Sequence, residues 1–252
     1  MYRSILLASA VAFCVAGAAA AQPQSDGPWT GPYVGLNFGY GGGGFNYPFS
    51  GTTTPTGTTR TAGELKQNSN GVLGGFQVGY NYELPNGVVA GVVTDFDGAS
   101  ITGGNELTDY GRAGGPSNGS LSSNVDYFGT VRGVLGYSLF GGRVLPYVTG
   151  GFAYARMTTA NGFSCAACGV GGGVVTASSY SATDTGWTLG AGFDYPINDK
   201  LSLRTEYLYA DFGRNTTPQT AIYGGSGALA YNATTGVSTT LNVLRVGLNY
   251  RF

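Results

Sequence analysis

The sequence predicts an all-β protein: an eight-stranded antiparallel up-and-down transmembrane β-barrel. Three observations predict it. Eight segments alternate a large apolar residue with a small or polar one, the apolar set carries no charge, and the connections between segments alternate long and short. Period-two alternation sends successive side chains to opposite faces of a strand, so each segment is read as a two-faced ribbon.

The apolar faces run in order along the chain. The first carries Val34, Leu36, Phe38 and Tyr40; the second Phe76, Val78, Tyr80 and Tyr82; the third Val88, Ala90, Val92, Thr94 and Phe96. Tyr127, Val131, Leu135 and Tyr137 define the fourth, and Val148, Phe152 and Tyr154 the fifth. Trp187, Leu189, Ala191, Phe193 and Tyr195 form the sixth, followed by Leu201, Leu203, Thr205, Tyr207 and Tyr209. The eighth is the terminal run Leu244, Val246, Leu248, Tyr250 and Phe252.

The opposite faces carry Gly together with Asn37, Gln77, Asn81, Thr130, Thr149, Thr188, Asn249 and nearly all the charges of these segments. A soluble barrel would turn its apolar face inward. An Arg or Lys facing lipid at mid-bilayer costs about 2–4 kcal/mol, so an outer face without charge is the signature of a membrane. The charged lumen set is Asp95, Asp97, Asp126, Asp194 and Glu206 against Arg132, Arg204, Arg245 and Arg251.

Connection lengths agree, because outer-membrane barrels alternate short periplasmic turns with long extracellular loops. Residues 41–70, 98–123, 158–184 and 213–239 are long and rich in Gly, Ser, Thr and Asn; residues 83–87, 138–143 and 196–200 are short. Pro85-Asn86-Gly87, Gly141-Gly142 and Asn198-Asp199 supply residues that favour tight reversals. Aromatic residues gather at two levels: Tyr40, Phe96, Tyr127, Tyr154, Trp187 and Tyr209 at the loop ends, and Tyr82, Tyr137, Tyr195 and Phe252 at the turn ends.

Composition removes other classes. Charged residues make up only 10% of the 252 positions, and there is no His, which takes away Ser-His-Asp and Cys-His nucleophile systems. A formal net charge of −1 gives no basic surface for nucleic acid. The Gly41–Gly44 run lacks the Lys-Ser/Thr ending of a phosphate loop. No cofactor or metal is expected, and the protein is expected not to be an enzyme. Cys165 and Cys168, in the third long connection, are an incomplete metal shell; in an exported chain they suit a loop disulfide, with free thiols as the alternative.

Residues 1–21 read as a signal peptide: Arg3, an apolar stretch from Ile5 to Gly17, then Ala19-Ala20-Ala21, with cleavage before Gln22. Residues 22–252 then form the barrel with four long extracellular loops, preceded by a flexible lead over residues 22–28.

Several pieces together resemble the small outer-membrane barrel proteins of alphaproteobacteria called the porin family, similar in shape to the OmpA transmembrane domain. They are "WTGPYVGLNFGY" from Trp29, "DYFGTVRGVLGY" from Asp126, "LPYVTGGFAYA" from Leu145, "GWTLGAGFDY" from Gly186, "LSLRTEYLYADFG" from Leu201 and the terminal "VLRVGLNYRF". The resemblance implies location in the bacterial outer membrane of a Gram-negative cell. It also implies insertion by the outer-membrane assembly machinery, which would read Leu244, Val246, Leu248, Tyr250 and Phe252. Two positions depart from the family pattern: Val93 stands where Glu is frequent, and Tyr127 where Trp is frequent.

The function expected is structural: a barrel that anchors surface-exposed loops and contributes to cell-envelope integrity, with outer-membrane lipids and lipopolysaccharide around it. An eight-stranded barrel is only just wide enough for its own side chains, so the near-balanced lumen charges are expected to pair. A small porin lined by the same charges is the alternative, and a surface adhesin acting through the loops a further one. No loop partner is identified by the residues themselves.

Overall fold

A computed structural model of the chain describes residues 27–54, 59–109, 117–169, 172–223 and 229–252. The signal segment, Cys14 and residues 22–26 lie outside the described residues. Eight strands follow: β1 (Gly31–Thr54), β2 (Thr59–Glu83), β3 (Val88–Asp109), β4 (Ser117–Tyr137), β5 (Leu145–Gly169), β6 (Gly172–Pro196), β7 (Leu201–Tyr223) and β8 (Leu229–Arg251). Each pairs antiparallel with its neighbour in sequence, and β8 returns to β1 to close the barrel. The closing junction runs from Tyr33↔Arg251 to Thr54↔Ala230, and the Phe252 N–H adds a bond to the Pro32 carbonyl at 3.2 Å.

The short connections reverse as their residues dictate. Asn86 Oδ1 accepts the Val88 N–H, and Gly87 takes φ +83°, a left-handed conformation that glycine adopts without penalty. Asn198 Oδ1 accepts the N–H groups of both Lys200 and Leu201, which folds the β6–β7 turn onto itself.

The long connections correct the sequence reading. Most of the described residues assigned to the four long loops continue the strands, so that β2 and β5 reach 25 residues each. About 9–11 residues suffice for a tilted strand to cross the hydrocarbon core. Roughly half of each strand therefore stands outside it. Thr and Val support extended backbone as well as any residues do, and the polar composition of these segments reflects their position above the membrane, not a lack of regular structure.

A reversal of polarity along the strands marks the boundary. Through the lower half Leu36, Phe38, Phe76, Val92, Val131, Leu135, Val148, Leu189 and Leu244 point outward and are exposed. A belt of ring contacts crowns this zone, with Phe96 to Tyr127 at 5.5 Å and Trp187 to Tyr209 at 5.5 Å between centroids. From the level of the belt upward Asn68, Asn70, Ser100, Thr102 and Ser122 are exposed, while Leu73, Ile101, Val125, Met157, Phe212 and Leu241 point inward and are buried. Among the described residues the buried charges are thus confined to the lower half, while higher up the inward positions mix these apolar residues with Gln67, Ser69, Ser123 and Thr239. Register irregularities at Gly98/Ile101, Val125/Tyr127 and Asp211/Arg214 lie at the same level, as bulges at barrel rims commonly do.

Candidate functional site

The lumen is filled in layers, and each layer is set by which inward positions the register brings level. At the periplasmic mouth the turn Gly27–Thr30 folds back into the barrel instead of trailing from it. Trp29 is buried against Val89 and Leu145, its backbone N–H donates to Glu83 Oε2 at 3.0 Å, and the Arg251 guanidinium lies over its ring at 4.8 Å.

Next comes a cross-strand ion pair. Asp194 and Arg204 face each other in the β6–β7 register, and Arg204 grips both carboxylate oxygens, Nε to Oδ1 at 2.8 Å and Nη2 to Oδ2 at 2.7 Å. This two-point geometry is the strong form of a charge-assisted hydrogen bond. The Arg204 guanidinium also lies over the rings of Tyr33 and Tyr147, at 5.0 and 5.2 Å. Tyr33 is opposite Gly79 and Tyr147 opposite Gly192, so the rings have room to lie across the neighbouring strand. A Cβ at Gly79 would sit 2.4 Å from Tyr33 Oη and 2.7 Å from the Val92 carbonyl oxygen. Val93 joins Tyr33, Val134 and Tyr147 in a small apolar cluster here, at the position where the family resemblance leads one to expect an acid.

Above it lies a closed charge knot. Arg132 donates to Asp95 Oδ2 and Glu206 Oε1, each at 2.8 Å. Arg245 donates to the same two carboxylates, at 2.7 Å to Asp95 Oδ2 and 2.7 Å to Glu206 Oε2, and reaches Asp97 at 3.1 Å. All five side chains have at most 1% exposure. Neutral donors add to the set: Thr130 Oγ1 to Asp95 at 2.7 Å and Tyr147 Oη to Glu206 at 2.9 Å. Arg132 Nε in turn donates to Thr130 Oγ1, and its Nη1 to Thr149 Oγ1. On the far side Gln77 donates to Asn249.

A final apolar layer covers the knot at the level of the aromatic belt. It is built by Leu73, Ile101, Val125, Phe128, Ala153, Ala155, Met157, Leu208, Ala210, Phe212, Leu241 and Val243 with Phe45 above. Phe128 and Phe212 meet edge to face at 6.5 Å across the lumen.

Of the nine charges read as a lumen network, the geometry joins Asp95, Asp97, Arg132, Glu206 and Arg245 in one knot and Asp194 with Arg204 in a separate pair. Asp126 and Arg251 belong to neither. Asp126 is the extra residue of the bulge between Val125 and Tyr127; the strand shifts phase there, and its carboxylate sits half-exposed near Arg156 at 3.7 Å and accepts from Thr158 Oγ1. Arg251 has inward parity but is one strand end too low, and it packs on Trp29. Sequence reasoning missed Trp29, Tyr33 and Tyr147 as lumen residues and the apolar layer altogether. The signals were present in the opposition of Tyr and Gly across strands and in the inward-phase run Leu208, Ala210, Phe212.

Leu244, Val246, Leu248, Tyr250 and Phe252 all project from the outer face of the last strand. The side chains of Cys165 and Cys168 lie outside the described residues. Among the described residues no group of three His, Cys, Asp or Glu side chains is placed to hold a metal ion. In the knot the carboxylates are engaged by guanidinium groups.

A closed antiparallel barrel with a lipid-adapted outer zone and a paired, buried lumen defines an outer-membrane β-barrel protein. The chain belongs to the family described as outer membrane protein beta-barrel domain, whose model matches residues 11–252. It is 36% identical over 253 aligned residues to the 31 kDa outer-membrane immunogenic protein of Brucella melitensis, covering 100% of this chain and 95% of that protein. It is 26% identical to the 25 kDa outer-membrane immunogenic protein of Brucella abortus, over 89% of this chain and 79% of the relative. Among solved structures, it aligns with Ail, the attachment invasion locus protein of Yersinia pestis, at a TM-score of 0.38 and 12% identity, over 88% of this chain and 99% of the other. OprG of Pseudomonas aeruginosa aligns at a TM-score of 0.37 and 14% identity, covering 90% and 99%. The protein is a resident of the bacterial outer membrane.

Proposed function

We propose that the protein is a sealed, non-enzymatic barrel whose task is to hold a tall extracellular β-structure at the cell surface and to reinforce the envelope around it. The observation that carries this reading is the stack of closures in the lumen: Trp29 at the periplasmic mouth, the Asp95–Arg132–Glu206–Arg245 knot, and the apolar layer above. A small porin would keep its lumen charges hydrated along a path. Here they are spent on one another, and a buried guanidinium stripped of its partner is costly enough that a transient path through the knot is disfavoured.

The exposed apolar zone with its aromatic belt suits outer-membrane lipids and lipopolysaccharide as its surroundings. Leu244, Val246, Leu248, Tyr250 and Phe252, projecting from the terminal strand, suit recognition by the assembly machinery. The relatives named outer-membrane immunogenic proteins support surface exposure of the corresponding region.

The test is a deletion strain complemented with either the full chain or a barrel whose strands are joined by short turns just above the aromatic belt. Increased detergent sensitivity that both forms repair supports envelope reinforcement by the barrel itself. Unchanged detergent sensitivity in the deletion strain overturns that role.

A further inference from the structure

The charge knot does not balance. It sets three carboxylates, Asp95, Asp97 and Glu206, against two guanidinium groups, Arg132 and Arg245, and all five side chains have at most 1% exposure. The pair below it is neutral in itself, because Arg204 holds both oxygens of Asp194. Fully ionised, the buried charges of the described lumen therefore carry one negative charge in excess. A buried charge without a counter-charge is strongly penalised, so balance calls for one further positive charge among these groups.

The contacts say where it sits. Asp95 Oδ2 accepts from Arg132 at 2.8 Å, from Arg245 at 2.7 Å and from Thr130 at 2.7 Å. Glu206 accepts from Arg132 on one oxygen and Arg245 on the other, with Tyr147 Oη added at 2.9 Å. Asp97 has a single guanidinium contact, Arg245 Nη1 to Oδ2 at 3.1 Å, the longest ion pair of the knot. Its Oδ1 has no hydrogen-bond partner; Asp95 Oδ1 has none either, but Asp95 is already held by two guanidinium groups.

The register supplies an acceptor beside Asp97. Asp97 on β3 is opposite Gly75 on β2, and Gly75 is opposite Asn37 on β1. Gly75 has no side chain, so the Asp97 carboxyl lies across it: a Cβ there would sit 2.5 Å from Oδ1. The Asn37 amide is within hydrogen-bonding reach of the same carboxyl, and Asn37 Oδ1 is buried without a partner. On the other side Asp97 is opposite Phe128 on β4. The charged groups around it are Arg245 on β8, Arg132 on β4 and, on its own strand, Asp95. A proton on Oδ1 turns that oxygen into a donor for the Asn37 carbonyl, and it needs no room of its own.

We propose that Asp97 is a proton-binding site within the knot: its carboxyl stays protonated at neutral pH, donates to Asn37, and leaves two carboxylates to two guanidinium groups. The folded chain then keeps a proton that an unfolded Asp has lost at neutral pH. Unfolding releases that proton, so stability falls as pH rises.

The test is urea unfolding of the refolded mature chain. Asp97→Asn has the shape and charge of the protonated carboxyl, and at pH 7 it is expected to leave the urea midpoint at or above the wild-type value, whereas Asp95→Asn and Glu206→Gln lower it. Between about pH 5 and pH 7 the unfolding constant of the wild type is expected to rise about tenfold per pH unit relative to Asp97→Asn. Infrared spectra of the folded wild type at pH 7 read the same site without unfolding: the expected result is a protonated-carboxyl C=O band, lost in Asp97→Asn and shifted in Asp97→Glu. A midpoint lowered by Asp97→Asn as far as by Asp95→Asn, or a folded wild type without that band, overturns the proposal. So does a wild-type midpoint that rises with sodium at constant pH and ionic strength while the band is absent, which would assign the balancing charge to a bound alkali ion.

Discussion

Arg132 and Arg245 stand four strands apart, on opposite walls of the barrel, and both bind the same two carboxylates, Asp95 and Glu206. Asp95 and Glu206 are likewise four strands apart, so the knot ties together β3, β4, β7 and β8 across the lumen. In a chain whose outer face gains little from packing in lipid, such cross-lumen ties hold the walls at a fixed distance. Removing one guanidinium leaves two buried carboxylates short of a donor. Arg132→Ala and Arg245→Ala are each expected to lower stability by about 3–5 kcal/mol, read as a drop in the urea midpoint of the refolded protein. Arg132→Ala combined with Glu206→Ala is expected to cost less than the two single losses added together.

Glycine at position 79 is a steric requirement. With the Tyr33 ring across it and the Val92 carbonyl behind, Gly79→Ala forces either the ring or the strand to move. Overpacking of this kind costs about 1–3 kcal/mol. The same Ala at Gly98, whose nearest neighbour to an added Cβ is 3.8 Å away, is expected to leave the urea midpoint almost unchanged.

The two tryptophans occupy opposite environments, Trp29 buried in the periplasmic mouth and Trp187 half-exposed on the lipid-facing belt. Brominated lipids quench only rings they touch. Trp187→Phe should therefore abolish most of the lipid quenching of intrinsic fluorescence, while Trp29→Phe should leave the remaining emission strongly quenched. Similar quenching in both variants would mean that the turn Gly27–Thr30 leaves the mouth.

The reversal of polarity predicts a matching reversal in mutational tolerance along one strand. Val131→Arg, on the lipid-facing part of β4, is expected to cost about 2–4 kcal/mol in vesicles. Ser122→Arg, on the same strand above the belt, points into water and is expected to cost within about 0.5 kcal/mol. Equal costs would contradict the placement of the boundary at the Phe96–Tyr127 contact.

The transmembrane half was legible because lipid enforces a one-letter rule on each residue: from Val34 to Tyr40 and from Leu244 to Phe252 every second position must be apolar and uncharged. The same rule also located most of the lumen, since Asp95, Arg132, Glu206 and Arg245 fall out as its complement. It failed where a single inserted residue changes phase. Asp126 has the right alternation when counted from Tyr127 and the wrong one when counted from Val125, and nothing in its chemistry reveals the bulge. It also failed from the level of the aromatic belt upward, where Leu208, Ala210 and Phe212 keep the inward phase of Arg204 and Glu206 but change character. Higher up, where water replaces lipid outside, the exposed positions are polar and the buried ones mix apolar side chains with Gln67, Ser69, Ser123 and Thr239. Which carboxylate meets which guanidinium depends on strand stagger, a three-dimensional quantity that alternation alone does not carry.

The most direct test of a sealed lumen is planar-bilayer recording of the refolded mature chain, with insertion and folding verified on the same preparation. A flat current trace is predicted for the wild type. Steady single-channel openings of the folded wild type, with a size or ion preference that changes when Arg132, Arg204 and Arg245 are replaced by Ala, would contradict the account and place those arginines along a conducting path.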